Sequence, residues 1–387
     1  MTARLAGFLI AMAALMAAAL ATGVRIYYLL FFTMLILILL SLASAVWALL
    51  TIKIDMKGVR PRVSRGDRLM TIFSVRHTSL LPVAAVRLRM NVPSAFASAR
   101  EISVSTPPFQ TRTFRHMIPC PHRGSYEVGV VSLVAEDLFG LFSLSRKSNM
   151  KPMRVDVLPR ATDVPAMELK ASETGPELRS RATEDTASPS DVRKWQEGDV
   201  LKKVHWKLTM RKREIMVRTY EEASRPDTLI VPDLSEIAAL PDQALSIEDC
   251  VCEACLSQAR AQLEAGYPVR MPLTGARPAE ISGQSPAAYP VFLDALMRVK
   301  FDSPFAYEQV QLQMLRRTTR TGGIVLVTSK LTTKVADLAL KTQRAGVRTK
   351  LVWVTDSQRH QSLEMVERLK MEGILVSLVN PWGEQAG

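Results

Sequence analysis

The sequence predicts a membrane helical hairpin, then an all-β sandwich, then an α/β domain built on a doubly wound, mostly parallel sheet. Three observations carry this. Two uncharged apolar runs fill the first fifty residues. Short alternating strands with Pro, Gly and Ser punctuation follow as far as about residue 159. From about residue 225, compact apolar runs alternate with helical periods.

Leu5 to Thr22 and Ile26 to Leu50 carry no charge, and only Gly23-Val24-Arg25 separates them. At about 1.5 Å per helical residue, each run is long enough for a hydrocarbon core of roughly 30 Å. Tyr27, Tyr28 and Trp47 lie near the ends of the second run, where amphipathic rings favour the headgroup region. Arg4 precedes the first run, and Lys53, Lys57, Arg60, Arg62 and Arg65 follow the second. The positive-inside rule therefore puts both ends, and all that follows, in the cytoplasm of a multi-pass cell-membrane protein. A rival reading takes residues 1–21 as a cleavable signal peptide ending in Ala19-Leu20-Ala21, which would send the remainder outside. The basic cluster after Leu50 opposes it.

The formal net charge is +13 and the pI about 9.8, which favours an anionic surface. For a chain with such an anchor, its own lipid leaflet is the first candidate and nucleic acid a weaker second. No aromatics are interleaved with the basic residues in the way single-strand binders require. Four cysteines are too few to staple a region of this size, and reduced thiols suit the cytoplasm.

The expected organisation is a hairpin over 1–52, a sandwich over 53–160, a polar linker over 161–190, a clip over 191–224 and the α/β domain over 225–387. Sandwich strands are expected at 69–75, 83–88, 126–131 and 155–158. The linker, poor in large apolar groups, is expected to bury little. In the last domain, strands are expected at 228–231, 267–271, 323–327, 349–354 and 374–378. The helices between them fall at 245–265, 288–299, 306–319, 332–344 and 360–371. Continuous apolar strands joined by helices imply a sheet covered on both faces, with ligands beyond the strands' carboxyl ends.

The clip is the most distinctive segment. It runs Val192-Arg193-Lys194-Trp195-Gln196-Glu197-Gly198-Asp199, then Val204-His205-Trp206-Lys207, then Ile215 to Glu222. Gly198-Asp199 is expected to form a turn that starts a helix capped by Asp199. Trp206 is expected as a large anchor, and Arg193 as the partner of a carboxylate or a tryptophan ring. His205 reads as structural. Arg193, Trp195, Gly198, Asp199, His205, Trp206 and Lys207 thus form either an internal lock or a partner-binding signature. Cys250, Cys252 and Cys255 share an expected helix. Cys250 and Cys252 would point about 200° apart around it, so buried thiols are expected rather than a zinc site. There is no phosphate-binding loop, dinucleotide turn or serine nucleophile elbow.

The Gly-Asp, basic stretch, Trp-Lys and paired acids of the clip resemble the signature of the domain of unknown function 58. Upstream, Arg123-Gly124-Ser125-Tyr126 and Asp137-Leu138-Phe139-Gly140-Leu141 are similar to that family's Arg-Gly-x-Tyr and Asp-x-Phe-Gly-Leu patterns. Trp195 stands where a tyrosine is usual, and Met210-Arg211 replaces Ala-Arg. The resemblance implies a von Willebrand factor A-like C-terminal domain. It also implies neighbours such as MoxR-type AAA+ ATPases and transglutaminase-like membrane proteins. From it we expect a membrane-anchored scaffold that recruits a partner; the alternatives are an enzyme of cell-envelope metabolism with a site near this signature and a basic protein binding nucleic acid. The integrin-type metal site of such domains uses Asp-x-Ser-x-Ser with a Thr and an Asp from later loops. Here Asp233 and Ser235 match, Ile237 replaces the second Ser, and Lys330 follows Thr328-Ser329. No cofactor is expected, with Mg²⁺ at Asp233 and Ser235 the residual candidate.

Overall fold

The computed structural model describes residues 3–57, 61–78, 86–91, 101–107, 109–137, 139–169, 191–195, 204–219, 226–316, 321–355 and 360–381. Gly198 and Asp199, most of the expected linker, and the start of the strand expected at 83–88 lie outside them. Two compact units divide at Leu158 and Pro159.

The first unit begins with α1 (Ala3–Thr22) and α2 (Arg25–Thr51), which pack against each other and are long and apolar enough to cross a membrane. α2 does not meet lipid-like surroundings on every side. Ser41, Ala45 and Ala48, spaced to share one face, are buried against the β elements that follow. Small side chains permit that close approach. The opposite face keeps Leu39, Leu40, Val46, Trp47 and Leu50 exposed.

Among the described residues, one sheet has the order β1-β3-β6, from Ile52–Lys57, Arg68–His77 and Thr111–Pro119. A second contains β2 (Arg62–Ser64), β9 (Met153–Leu158), β7 (Gly124–Glu136), β4 (Val86–Asn91) and β5 (Glu101–Val104) in that order, with β8 (Ser143–Lys147) also on β7. β3 alternates buried and less buried residues, as a strand with one covered face must. The two sheets close on one core: Leu69, Phe73, Val75 and Ile118 from the first, Leu88, Val128, Leu133 and Val155 from the second. Ala48 and Ile52 join it, so the end of α2 is part of this core.

In the second unit, β10 (Asp191–Lys194) and β11 (Met216–Thr219) form a two-stranded antiparallel ribbon. A short helix, α3 (Trp206–Lys212), precedes β11. The main sheet has the order β14-β13-β12-β15-β16-β17. Its strands are β12 (Asp227–Pro232), β13 (Val269–Leu273), β14 (Ala279–Gly283), β15 (Thr321–Thr328), β16 (Arg348–Val354) and β17 (Leu375–Val379). All pairings are parallel except that of edge strand β14 with β13. The helices are α4 (Pro241–Glu264), α5 (Tyr289–Arg298), α6 (Tyr307–Leu315), α7 (Thr333–Arg344) and α8 (His360–Met371). α4 and α5 help cover one core, and α6 and α7 the other, so the sheet is clad on both faces.

The opening of the expected linker is not loose. Residues 159–169 lie as a strap along α4 and the amino-terminal ends of the strands. Thr162 N donates to Ser257 Oγ (2.9 Å), Gln262 Nε2 to the Met167 carbonyl (3.3 Å) and Arg348 to the Glu168 carbonyl (2.6 Å). Met167 and Leu169 are buried in the core. They press directly on Gly323, where a Cβ would collide with both side chains, and this close approach explains a glycine inside a central strand.

Candidate functional site

Two places can carry function, and the fold positions them differently. The first is the switch point of the main sheet. From β12 the chain proceeds outward to β13 and β14, then returns to β15 on the other side of β12. The carboxyl ends of β12 and β15 therefore bound the crevice where open α/β sheets bind ligands. Asp233 follows β12, Thr328 ends β15, and the two meet there.

Asp233 is buried. Its Oδ1 accepts from Ser235 N (3.1 Å) and Ser235 Oγ (2.7 Å), and its Oδ2 accepts from Thr328 Oγ1 (2.6 Å). Lys330 closes the same rim by donating Nζ to the Glu236 carbonyl (2.7 Å). Beneath it, the buried Tyr307 hydroxyl donates to the Val231 carbonyl (2.8 Å). Burial, and then the charge of Asp233, push that phenol well above its ordinary range, so it serves as a fixed donor.

Asp233 and Ser235 are thus brought together with Thr328. One carboxylate and two hydroxyls would leave a six-coordinate cation to take its remaining oxygens from water or a ligand. An ammonium is already tied to the same rim, and both carboxylate oxygens are taken up within the chain. In this structure Asp233, Ser235 and Thr328 bond to one another. Among the described residues no three His, Cys, Asp or Glu side chains gather as a metal site. Cys250, Cys252 and Cys255 are buried thiols on α4, none of them in a disulfide.

The second place is the clip. Its β10–β11 ribbon pairs Arg193 with Val217 and Lys194 with Met216, and Val204 bridges to Val217. Backbone bonds from Trp195 to Ile215 (2.9 Å) and His205 to Met216 (2.8 Å) extend it. α3 is capped by His205, whose Nδ1 accepts from Leu208 N (3.2 Å). The helix start expected at Asp199 lies outside the described residues. Arg213 ends the helix in a left-handed conformation (φ 55°) and turns the chain into β11.

Trp206 was expected to anchor the clip. Instead it is 63% exposed, at the first position of a helix with no buried residue. Met210, one turn on, is 80% exposed, and Trp195 and Ile215 are exposed nearby in the ribbon. Lys207, Arg211, Lys212 and Arg213 are exposed on the same short segment. In the sequence Met210 stands only as a departure from the signature and Ile215 only as the start of the clip's last run; a Met one turn after a Trp on a basic helix is the signal that sets Met210 apart.

A shallow cleft of about 490 Å³ near the end of β13 is lined by Arg277, Arg298, Lys300 and Asp302 among others. Asp302 accepts from Ala276 N (2.9 Å), and Arg298 lies in the last turn of α5, where a cation balances the helix dipole. That accounts for much of its charge.

Fold and sites together define an α/β domain with a closed switch point and an exposed aromatic clip, joined in one chain to an apolar helical hairpin and a two-sheet β unit. Residues 191–374, the clip and nearly all of the α/β domain, match the family described as protein of unknown function DUF58. That region belongs to the family. No curated protein matches it.

Proposed function

We propose that this protein is a membrane-anchored adaptor whose clip recruits a partner at the cytoplasmic face, and that the partner is a MoxR-type AAA+ ATPase. One observation carries the reading: Trp206 and Met210 stand exposed on one short basic helix near the start of the region that matches the family. A large aromatic ringed by cations suits a hot spot for an apolar surface with an acidic rim. The switch point supports a binding rather than a catalytic role, because its carboxylate is spent on internal hydrogen bonds. The strand order, counted within the domain as 3-2-1-4-5-6, and its single antiparallel strand support a von Willebrand factor A-like relationship. The two apolar helices and the basic residues after them support a multi-pass anchor with the remainder cytoplasmic.

The test is affinity purification of the tagged full-length protein from detergent, with and without ATP, beside Trp206→Ala and Met210→Ala. Recovery of an AAA+ ATPase with the wild type, reduced at least tenfold in either variant at unchanged thermal stability, is expected. Recovery that ignores both substitutions would overturn the reading. So would turnover of a substrate by the purified protein that Trp206→Ala abolishes without unfolding it.

A further inference from the structure

We infer that the end of the β unit that meets α2 is itself a lipid-contacting surface, with Phe139 and Phe109 seated in the headgroup region of the anionic leaflet that the hairpin crosses. The inference rests on the reading of the hairpin as a membrane anchor.

Depth is the first argument. Counted from Ile26, a hydrocarbon core of roughly 30 Å is filled after about 20 residues, near Ala45. The exposed apolar face of α2 continues past that level, through Val46 and Trp47 to Leu50. Yet the opposite face is already covered by the β unit at Ser41, Ala45 and Ala48. A single helix cannot be in lipid on one side and deep in water on the other at the same height. The β unit must therefore be sunk to headgroup depth where it touches α2.

The second argument is what that end presents. The turn after β7 is drawn onto the hairpin: Ser41 donates to Asp137, and Arg4 lies against Gly140, where a Cβ would come within 2.7 Å of its guanidinium. Gly140 has a φ of 68°, and Phe139 beside it is 48% exposed. The β5–β6 turn reaches the same end, since His77 N donates to the Gln110 carbonyl (2.9 Å) and Thr78 Oγ1 to the Thr51 carbonyl (2.8 Å). Phe109 occupies that turn at a φ of 53°, unfavourable for a bulky residue, and is 67% exposed. Two turns thus hold a phenylalanine outward beside an apolar helix, one of them at a conformational cost.

Charge decides the occupant. Lys53 and Arg76 are directly opposed in register between β1 and β3, a pairing that disfavours itself unless anions attend it. Arg112 and Arg146 are exposed at the same end, and Arg146 reaches the Ile52 carbonyl. Aromatic tips with a basic fringe, continuous with a candidate span, fit an anionic bilayer surface.

The full-length protein would be reconstituted in vesicles of phosphatidylcholine with phosphatidylserine. An environment-sensitive fluorophore would be placed in turn at Phe109→Cys, Phe139→Cys, Leu30→Cys within the hairpin, and Arg68→Cys at the far end of the β unit. The native thiols are buried. Quenching by lipids carrying a shallow nitroxide is expected at positions 109 and 139 and absent at 68. Replacing phosphatidylserine by phosphatidylcholine is expected to weaken it. Quenching at 30 but water-like emission at both 109 and 139 would overturn the inference and leave the anchor intact. Failure of quenching at 30 would overturn the anchor itself, and the inference with it. Shielded emission at 109 and 139 without quenching would identify a protein occupant and also overturn it.

Discussion

Replacing Asp137 should loosen the β unit from the hairpin, and the size of the effect can be worked from its bonds. The carboxylate accepts from the Ser41 hydroxyl, from Phe142 N (2.7 Å) and from Phe139 N (3.0 Å). Ser41 and Asp137 are both buried. A hydrogen bond to a charged acceptor is worth about 1.5–3 kcal/mol, but two of these donors sit in a turn that can open to water. Asp137→Ala should therefore cost about 3 kcal/mol, and Ser41→Ala about 1 kcal/mol. At roughly 2–4 °C per kcal/mol for a unit of this size, Asp137→Ala lowers Tm by about 6–12 °C. The assay is thermal unfolding of the detergent-solubilised full-length protein, followed by tryptophan emission. The pH dependence sharpens it. Burial alone would raise the acid's pKa, but the Ser41 hydroxyl and the Phe142 and Phe139 amides outweigh it and hold the group below its ordinary 3.8. The folded state thus binds this proton less tightly than the unfolded state. Its contribution is complete above the ordinary value and is lost as pH falls through the lowered one. The gap between wild type and Asp137→Asn should accordingly close in that acid range. An unchanged Tm for Asp137→Ala at neutral pH, or a gap that persists undiminished in acid, would refute the reasoning.

Three further outcomes follow from the second unit and the buried thiols. Gly323→Ala should destabilise by about 1–3 kcal/mol through overpacking against Met167 and Leu169, with Met167→Ala in the same chain recovering part of the loss in a double-mutant cycle by chemical denaturation. Lys350 is buried in β16, and burial lowers its pKa, so the folded state binds that proton less tightly and stability rises with pH as the ordinary 10.5 is approached. Lys350→Met should raise Tm at neutral pH and flatten that alkaline rise in pH-resolved melts. All four thiols should label slowly in the native protein and fully on unfolding, as read with a chromogenic disulfide, and at Cys120 burial also raises the pKa and suppresses the thiolate.

How far the sequence reached depends on whether the deciding contact is local. Continuous apolar runs such as Leu229 to Val231 and Val325 to Val327 announce buried parallel strands because both faces are covered. β14 was not expected, since Ala-Glu-Ile-Ser-Gly has no apolar run and its strand is an edge. Its end at Gly283 is set by Phe292 and Ala288, which leave no room for a Cβ. The strap reads as loose linker in the sequence because only Met167 and Leu169 among its polar neighbours are large and buried. Their partners, Gly323 and Gln262, lie far along the chain. At the clip, pattern marks out the segment but not its orientation. Nothing local states that Trp206 faces water, or that His205 caps α3. At the switch point Asp233 and Ser235 were legible as a pair, whereas Thr328 joins them only through the pairing of β12 with β15.

These two places should separate cleanly under mutation. At the switch point, Thr328→Val and Asp233→Ala each strand a buried group that was satisfied within the chain. Each should cost about 1–3 kcal/mol, and Asp233→Ala the more because it frees two hydroxyls and an amide. Partner capture should survive as long as the fold does, and added Mg²⁺ should leave Tm where it was. At the clip the order reverses. Trp206 and Met210 make little contact within the chain, so their loss should leave Tm within about 0.5 kcal/mol-equivalent of wild type while abolishing capture. If Asp233→Ala instead abolished capture at unchanged stability, the closed carboxylate would have to open during binding, and recognition would belong to the sheet rather than to the helix before it.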